Sequence, residues 1–183
     1  MLSITIPSSE CWDPYKEEFI QIKETTLQME HSLLSVAKWE SKWHKAFLGI
    51  EQKTDEELRD YFRCMTLTQN VDPALFRVID VNTAKQIEQY IEDPMTGTTF
   101  NDHLKEGQSR RPKEIVTAEL IYYWMITYQI PFECQRWHFN RLMMLIRVCD
   151  ERNKPKKKMR KGDIARRNRS LNAARRARMG TKG

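Results

Sequence analysis

Residues 113–150 read KEIVTAELIYYWMITYQIPFECQRWHFNRLMMLIRVCD, the most apolar run in the chain. Pro112 and Pro131 each suit the first position of a helix, where a backbone N–H has no partner to lose. The spacing predicts one helix from Pro112 to about Gln129 and a second from Pro131 to about Glu151. In the second, Glu133, Arg136, Asn140 and Arg147 share an arc of roughly 60° on the helical wheel. The remainder of that helix is apolar, and the first is apolar nearly all round. Helices of this kind are central, covered on several sides. The expected fold is therefore mainly α, built on a central antiparallel helical hairpin that pivots at Ile130-Pro131.

One charged residue in each helix breaks the pattern. Glu119 falls between Tyr123 and Ile126 on its wheel, and Arg141 falls amid Cys134, Trp137, Leu145 and Val148. In an antiparallel hairpin positions 119 and 141 lie level. An isolated buried charge is costly, so Glu119 and Arg141 are expected to form a structural ion pair. The alternative is a carboxylate of shifted pKa in a catalytic pocket, but no acid pair or activated nucleophile accompanies it. His138 likewise reads as a satisfied core histidine before it reads as a general base.

Working outward toward the N-terminus, Leu2, Ile4 and Ile6 alternate with polar residues and stop at Pro7, a short half-buried strand. Ile20/Ile22 and Leu27/Met29 repeat the alternation, and one or both are candidate partners in a small N-terminal β-hairpin or sheet. From Ser32 the period changes. Leu33, Val36, Ala37, Trp39, Trp43 and Phe47 fall in one arc opposite Lys38, Lys42 and Lys45, an amphipathic helix. Trp39 and Trp43 could form a stacking platform for bases or a partner anchor, but their apolar neighbours favour core packing. Thr54 and Glu57 have the spacing of a capping box. Asp72-Pro73 opens a short helix through Val78, Asn82 or Thr83 opens another, and Asp93-Pro94 ends it. The polar run that follows, to Pro112, reads as a loop.

Beyond the apolar run the composition changes abruptly. Residues 1–150 hold 17 Lys+Arg against 23 Asp+Glu, net −6, whereas residues 151–183 hold 14 against 2, net +12. An acidic, mainly helical body at 1–153 thus carries a basic tail at 154–183. Such asymmetry marks an interaction arm. Its candidate contact residues are Lys156, Lys157, Lys158, Arg160, Lys161, Arg166, Arg167, Arg169, Arg175, Arg176 and Arg178. Asp163 is placed to cap a helix ending near Met179-Gly180, which like charges oppose and alanines favour. A tail helical only on a partner is the expectation. An acidic protein surface, such as the body of a second copy, is the first candidate partner. Nucleic acid is the second, with binding steeply dependent on salt. A solubilising extension with no dedicated partner is the third. The tail has no aromatic residue, which argues against base-specific single-strand readout.

Other classes find little support. The four cysteines, Cys11, Cys64, Cys134 and Cys149, lack disulfide-framework or metal-ligand spacing and read as reduced thiols. No apolar run approaches the roughly 20 residues of a membrane span, and the first residues do not resemble a signal peptide. No P-loop, GxSxG or metal-ligand spacing is present, so no catalytic, metal or cofactor residue is assigned.

Several stretches together, LQMEHSLLSVAKWESKWHKAF, DYFRCMTLTQNV, EQYIEDPMTGTTF, AELIYYWMITYQIPFECQRWHFNRL and RNRSLNAARRARMGTKG, resemble the tail assembly chaperones of long-tailed, siphovirus-like bacteriophages. The resemblance spans nearly the whole chain. It implies a non-enzymatic factor, without cofactor, working in the host cytoplasm during virion assembly and absent from the virion. Such chaperones coat the long, apolar tape measure protein and gather tail-tube subunits around it. Exposed aromatics and methionines would suit varied apolar segments. Many also occur in a longer form made by ribosomal frameshifting, and the Lys156-Lys157-Lys158 run is compatible with an A-rich slip site. The other reading is a basic-tailed phage protein of the head, connector or packaging system that contacts nucleic acid.

Overall fold

The computed structural model describes residues 1–13, 17–100, 115–154 and 161–180, with backbone alone at Cys11, Asp13, Glu18, Ile20 and Lys161. The fold is mainly α with a small β part, as expected. The chain divides into two compact units, Met1–Cys149 and Asp150–Gly183.

The first unit opens with four strands, β1 (Leu2–Ile6), β2 (Ser9–Asp13), β3 (Glu18–Ile22) and β4 (Thr25–Met29). β1 pairs with β4 and β2 with β3, both antiparallel, in one register running from Leu2↔Met29 to Asp13↔Glu18. The four strands are therefore one long hairpin interrupted at residues 7–8 and 23–24. Pro7 has no N–H to give to the ladder, which is the physical reason for a break there. Across it the buried parity changes: Leu27 and Met29 face the core in the inner ribbon, Ile22 in the outer one. Of the two candidate partners of the N-terminal strand, the one bearing Leu27 and Met29 pairs with it, whereas the one bearing Ile20 and Ile22 pairs with β2. β2 was not anticipated.

Ser32 caps α1 (Leu33–Trp43), which ends at His44 in a left-handed conformation. Phe47 thus lies beyond the helix whose apolar arc it extends in the sequence, yet its ring still reaches Trp39 and Tyr61 at centroid distances of 5.3 and 4.2 Å. The expected capping box of Thr54 and Glu57 opens α2 (Asp55–Met65). Asp72 caps α3 (Pro73–Arg77) through the N–H of Ala74. Asp80, two residues before the expected start, caps α4 (Val81–Glu92), which stops at Asp93.

The central run departs from expectation. Ile115 to Thr117 are not helical, and α5 spans Ala118–Thr127 with Thr117 as its cap. Residues Phe132–Arg136 form a 3-10 turn, Trp137 is extended, and α6 begins only at Phe139 and runs to Asn153. His138 instead bridges to Ser32, and the N–H of Phe139 donates to the carbonyl of His31 at 2.7 Å. These backbone contacts hold Trp137 and His138 out of helical conformation, so the second helix cannot start at Pro131. α5 packs against α1.

The core gathers Ile4, Leu27, Met29, Leu33, Trp39, Tyr61, Met65, Ile87, Ile121, Met125 and Leu142. In the second unit α7 (Lys161–Met179) is a 19-residue helix ended by Gly180 at φ 63°. The tail segment is thus helical in the chain itself, and Asp163 sits in its first turn rather than at the cap. The positive φ at Gly180 is the left-handed stop that glycine supplies most readily.

Candidate functional site

Polar side chains inside the first unit close helix ends. The buried carboxylate of Glu40, on α1, accepts from the N–H of Phe47 at 2.7 Å and from the N–H of Ala118 at 2.7 Å. It thereby satisfies an orphan donor at the start of α5 and favours the positive end of that helix. Arg59, on α2, donates to the carbonyls of Phe76, Arg77 and Ile79 beyond and within α3 at 2.8–3.3 Å. His138 Nε2 donates to the carbonyl of Tyr90 at 2.9 Å, and Asn140 Nδ2 to those of Ile91 and Asp93 at 2.8 Å, so the start of α6 clamps the end of α4.

His138 is therefore the satisfied, buried histidine expected. It stands beside a second one that sequence reasoning missed. His31 is fully buried, with ring centroids 5.1 Å from His138 and 5.8 Å from Tyr61. His31 Nδ1 and the Tyr61 hydroxyl share a 2.5 Å hydrogen bond, and Ser35 Oγ lies 3.4 Å from the same hydroxyl. Burial first, and the neighbouring His138 second, hold the His31 pKa down to about 3. Burial pushes the Tyr61 hydroxyl pKa up. Both groups stay neutral at ordinary pH, an arrangement suited to bracing the 30–33 turn against α6 rather than to moving protons.

The tryptophans settle the same way. Trp39 is buried and donates to the carbonyl of Glu57 at 2.8 Å, while Trp43 donates to Asp60 Oδ2 at 2.9 Å. Asp60 also pairs with Lys42 and Arg63, which hold its carboxyl below the usual range against the opposing effect of burial. Trp39 has no face left on which a base could stack.

Glu119 and Arg141 do not pair. Both are exposed, and the Arg141 guanidinium lies over the Trp137 ring at 4.5 Å. The expectation rested on burial and on a hairpin pivoting at 130–131, and neither holds. Solvent satisfies Glu119, and the late start of α6 removes the register that would have set the two side chains level.

The wheel had grouped Glu119, Tyr123 and Ile126 correctly but on the wrong side. Ala118, Ile121 and Met125 face the core, whereas Tyr123 and Ile126 are 61% and 62% exposed. Phe132 follows at 51% exposed, its ring 6.3 Å from that of Tyr122, whose hydroxyl donates to Gln135 Oε1. The most apolar run of the chain thus displays Tyr123, Ile126, Phe132 and, under Arg141, Trp137. Another exposed pair stands on the outer ribbon, where Trp12 and Phe19 meet edge to face at 5.1 Å. Methionines contribute less than expected, because Met29, Met65 and Met125 are fully buried.

In the second unit Arg166, Arg167, Arg169, Arg175, Arg176 and Arg178 are all exposed on α7. Lys156, Lys157, Lys158 and Arg160, and the side chain of Lys161, lie outside the described residues. Among the described residues no helix is long and apolar enough to cross a membrane, and no group of His, Cys, Asp and Glu could hold a metal ion. Cys64 and Cys134 are buried free thiols whose pKa burial raises. Compared with known proteins, the chain matches no family model, no curated protein and no solved structure.

Proposed function

We propose that the chain is a non-enzymatic assembly chaperone of the kind that serves long-tailed bacteriophages, holding apolar segments of a tape measure protein and bringing tail-tube subunits to them. The observation that carries this reading is the exposed side of residues 118–137. Tyr123, Ile126 and Phe132 stand in solvent while the opposite side of the same segment, Ala118, Ile121, Met125 and Ile130, is locked in the core. Solvent-exposed apolar side chains of this size, on a rigid support, are what partner-binding surfaces present. Aromatic rings bury large area at little entropic cost, which suits a client of varied apolar sequence. Glu40 fixes α5 to the body, and the Tyr122–Gln135 bond ties α5 to the 132–136 turn.

The experiment is co-expression of the full chain with the tape measure and tail-tube proteins of a long-tailed bacteriophage. The chaperone reading expects the chain to co-purify with the tape measure protein and keep it soluble. The variant Tyr123→Glu/Ile126→Glu should be equally stable and should lose that capture. Equal recovery with the variant and with the unaltered chain would remove this surface from the mechanism, and failure of the unaltered chain to retain either protein would remove the function.

A further inference from the structure

α7 carries its charge in a pattern that restricts its partner. Laid out at 100° per residue, its arginines leave no arc wider than about 100° without a cation. They therefore point to every side of the helix, and each is exposed. The only aligned apolar pair is Ile164 and Leu171, two turns apart and themselves exposed. A helix that docks on a protein surface needs an apolar stripe, and a flat acidic surface would meet only one side of this one. The partner must present negative charge to opposite sides at once.

We propose that α7 binds duplex DNA, lying in the major groove with its arginines reaching the phosphates of both walls. The groove is about 12 Å wide and admits one α-helix, whose diameter with side chains is about 10–12 Å. Between the arginines the helix is slim, with Ala165, Ala173, Ala174, Ala177 and Ser170, so its backbone can approach the groove floor. Arginine suits phosphate through its planar fork of donors. Phosphates also relieve the repulsion between Arg166 and Arg169 and between Arg175 and Arg178, each one turn apart. The helix is accordingly more stable on DNA than off it. The contacts are to backbone, so the binding is largely indifferent to sequence. This function is separate from the capture of apolar segments and stands or falls without it.

The test is fluorescence anisotropy of the full chain with a labelled 20-base-pair DNA duplex across a salt series, alongside the single strand, an RNA duplex of the same sequence, and poly-glutamate as competitor. With four to six phosphates neutralised, the plot of log Kobs against log salt should have a slope of about −4 to −5. The variant Arg166→Gln/Arg169→Gln/Arg175→Gln/Arg176→Gln should flatten the slope by about 3–4 and weaken binding at least tenfold at low salt. Its thermal melt should match that of the unaltered chain, and helical circular dichroism should rise on adding duplex to the unaltered chain alone. Tighter binding to the single strand or to the RNA duplex would overturn the groove assignment. So would poly-glutamate competing as well as unlabelled duplex at equal charge, which would return α7 to an acidic protein partner. Binding unchanged in the four-fold variant would take α7 out of it.

Discussion

Replacing Glu40 by glutamine tests how α5 is held. The two carboxylate oxygens each accept one backbone N–H, from Phe47 and from Ala118, both at 2.7 Å, and the residue is buried. Glutamine keeps one acceptor oxygen and presents an NH2 group to the other donor. One buried N–H is left without a partner, facing a second donor, and the charge that favours the α5 N-terminus is gone. An unsatisfied buried donor costs about 1–3 kcal/mol, and a hydrogen bond to a charged acceptor is worth about 1.5–3 kcal/mol. The expected loss for Glu40→Gln is therefore about 2–3 kcal/mol. For a chain of this size that lowers Tm by about 5–10 °C. Urea unfolding should show it as a shift in midpoint at constant slope. Glu56→Gln, at an exposed position in the first turn of α2, is the control and should stay within about 0.5 kcal/mol. A loss below about 0.5 kcal/mol for Glu40→Gln would refute the claim that one carboxylate fastens α1, the loop at Phe47 and α5 together.

Other expectations follow from the same geometry. Because the His31 pKa is held near 3 in the folded chain and lies near its ordinary value of 6.5 when unfolded, the unfolded state binds more protons between those values. His31 therefore makes stability fall as pH drops from about 6.5 toward 3, by up to about 1.4 kcal/mol per pH unit. Urea titrations at several pH values should show this slope reduced by about one proton in His31→Asn. Tyr61→Phe strands His31 Nδ1 in the core and should cost about 1–3 kcal/mol in the same assay. Tyr123→Glu/Ile126→Glu should change stability by less than about 0.5 kcal/mol, since both side chains already stand in water. Trp12→Ala removes a cross-strand aromatic contact worth about 0.2–1 kcal/mol, so hydrogen exchange should quicken in β2 and β3 and stay unchanged in β1 and β4.

What could be read from the sequence was local. Thr54 with Glu57, Asp72 with Pro73 and Asp93 with Pro94 mark helix ends through contacts within a few residues, and the helices respect them. The alternation of Leu2, Ile4 and Ile6 is equally self-contained. The misreadings lie where distant contacts decide. Residues 131–138 contain nothing that forbids a helix after Pro131, yet the bridge from Ser32 to His138 keeps their end extended. Nothing in the neighbourhood of Pro131 carries that information. In α5 apolar residues occur on all sides, so periodicity could not tell the core side of Ile121 and Met125 from the open side of Tyr123 and Ile126. The misplaced pairing of Glu119 with Arg141 follows from that ambiguity. β2 was hidden because Ser9 to Asp13 contains no alternating apolar set; only the shared register with β3 reveals it. The role of Glu40 needed the meeting of α1 with Ala118, 78 positions along the chain.

The interruption at Pro7 has a mechanical meaning. Hydrogen bonding in a β-ribbon normally spreads any local opening along the ladder, because each rung constrains the next. Here the ladder is cut, and the outer ribbon is tied to the core through Ile22. Its opening is uncoupled from the inner ribbon, so the segment bearing Trp12 and Phe19 behaves as a separate unit of low local stability. Opening of its hydrogen bonds does not require Leu27 and Met29 to leave the core. A proline in the seventh position thus divides one long hairpin into two ribbons whose rungs open separately.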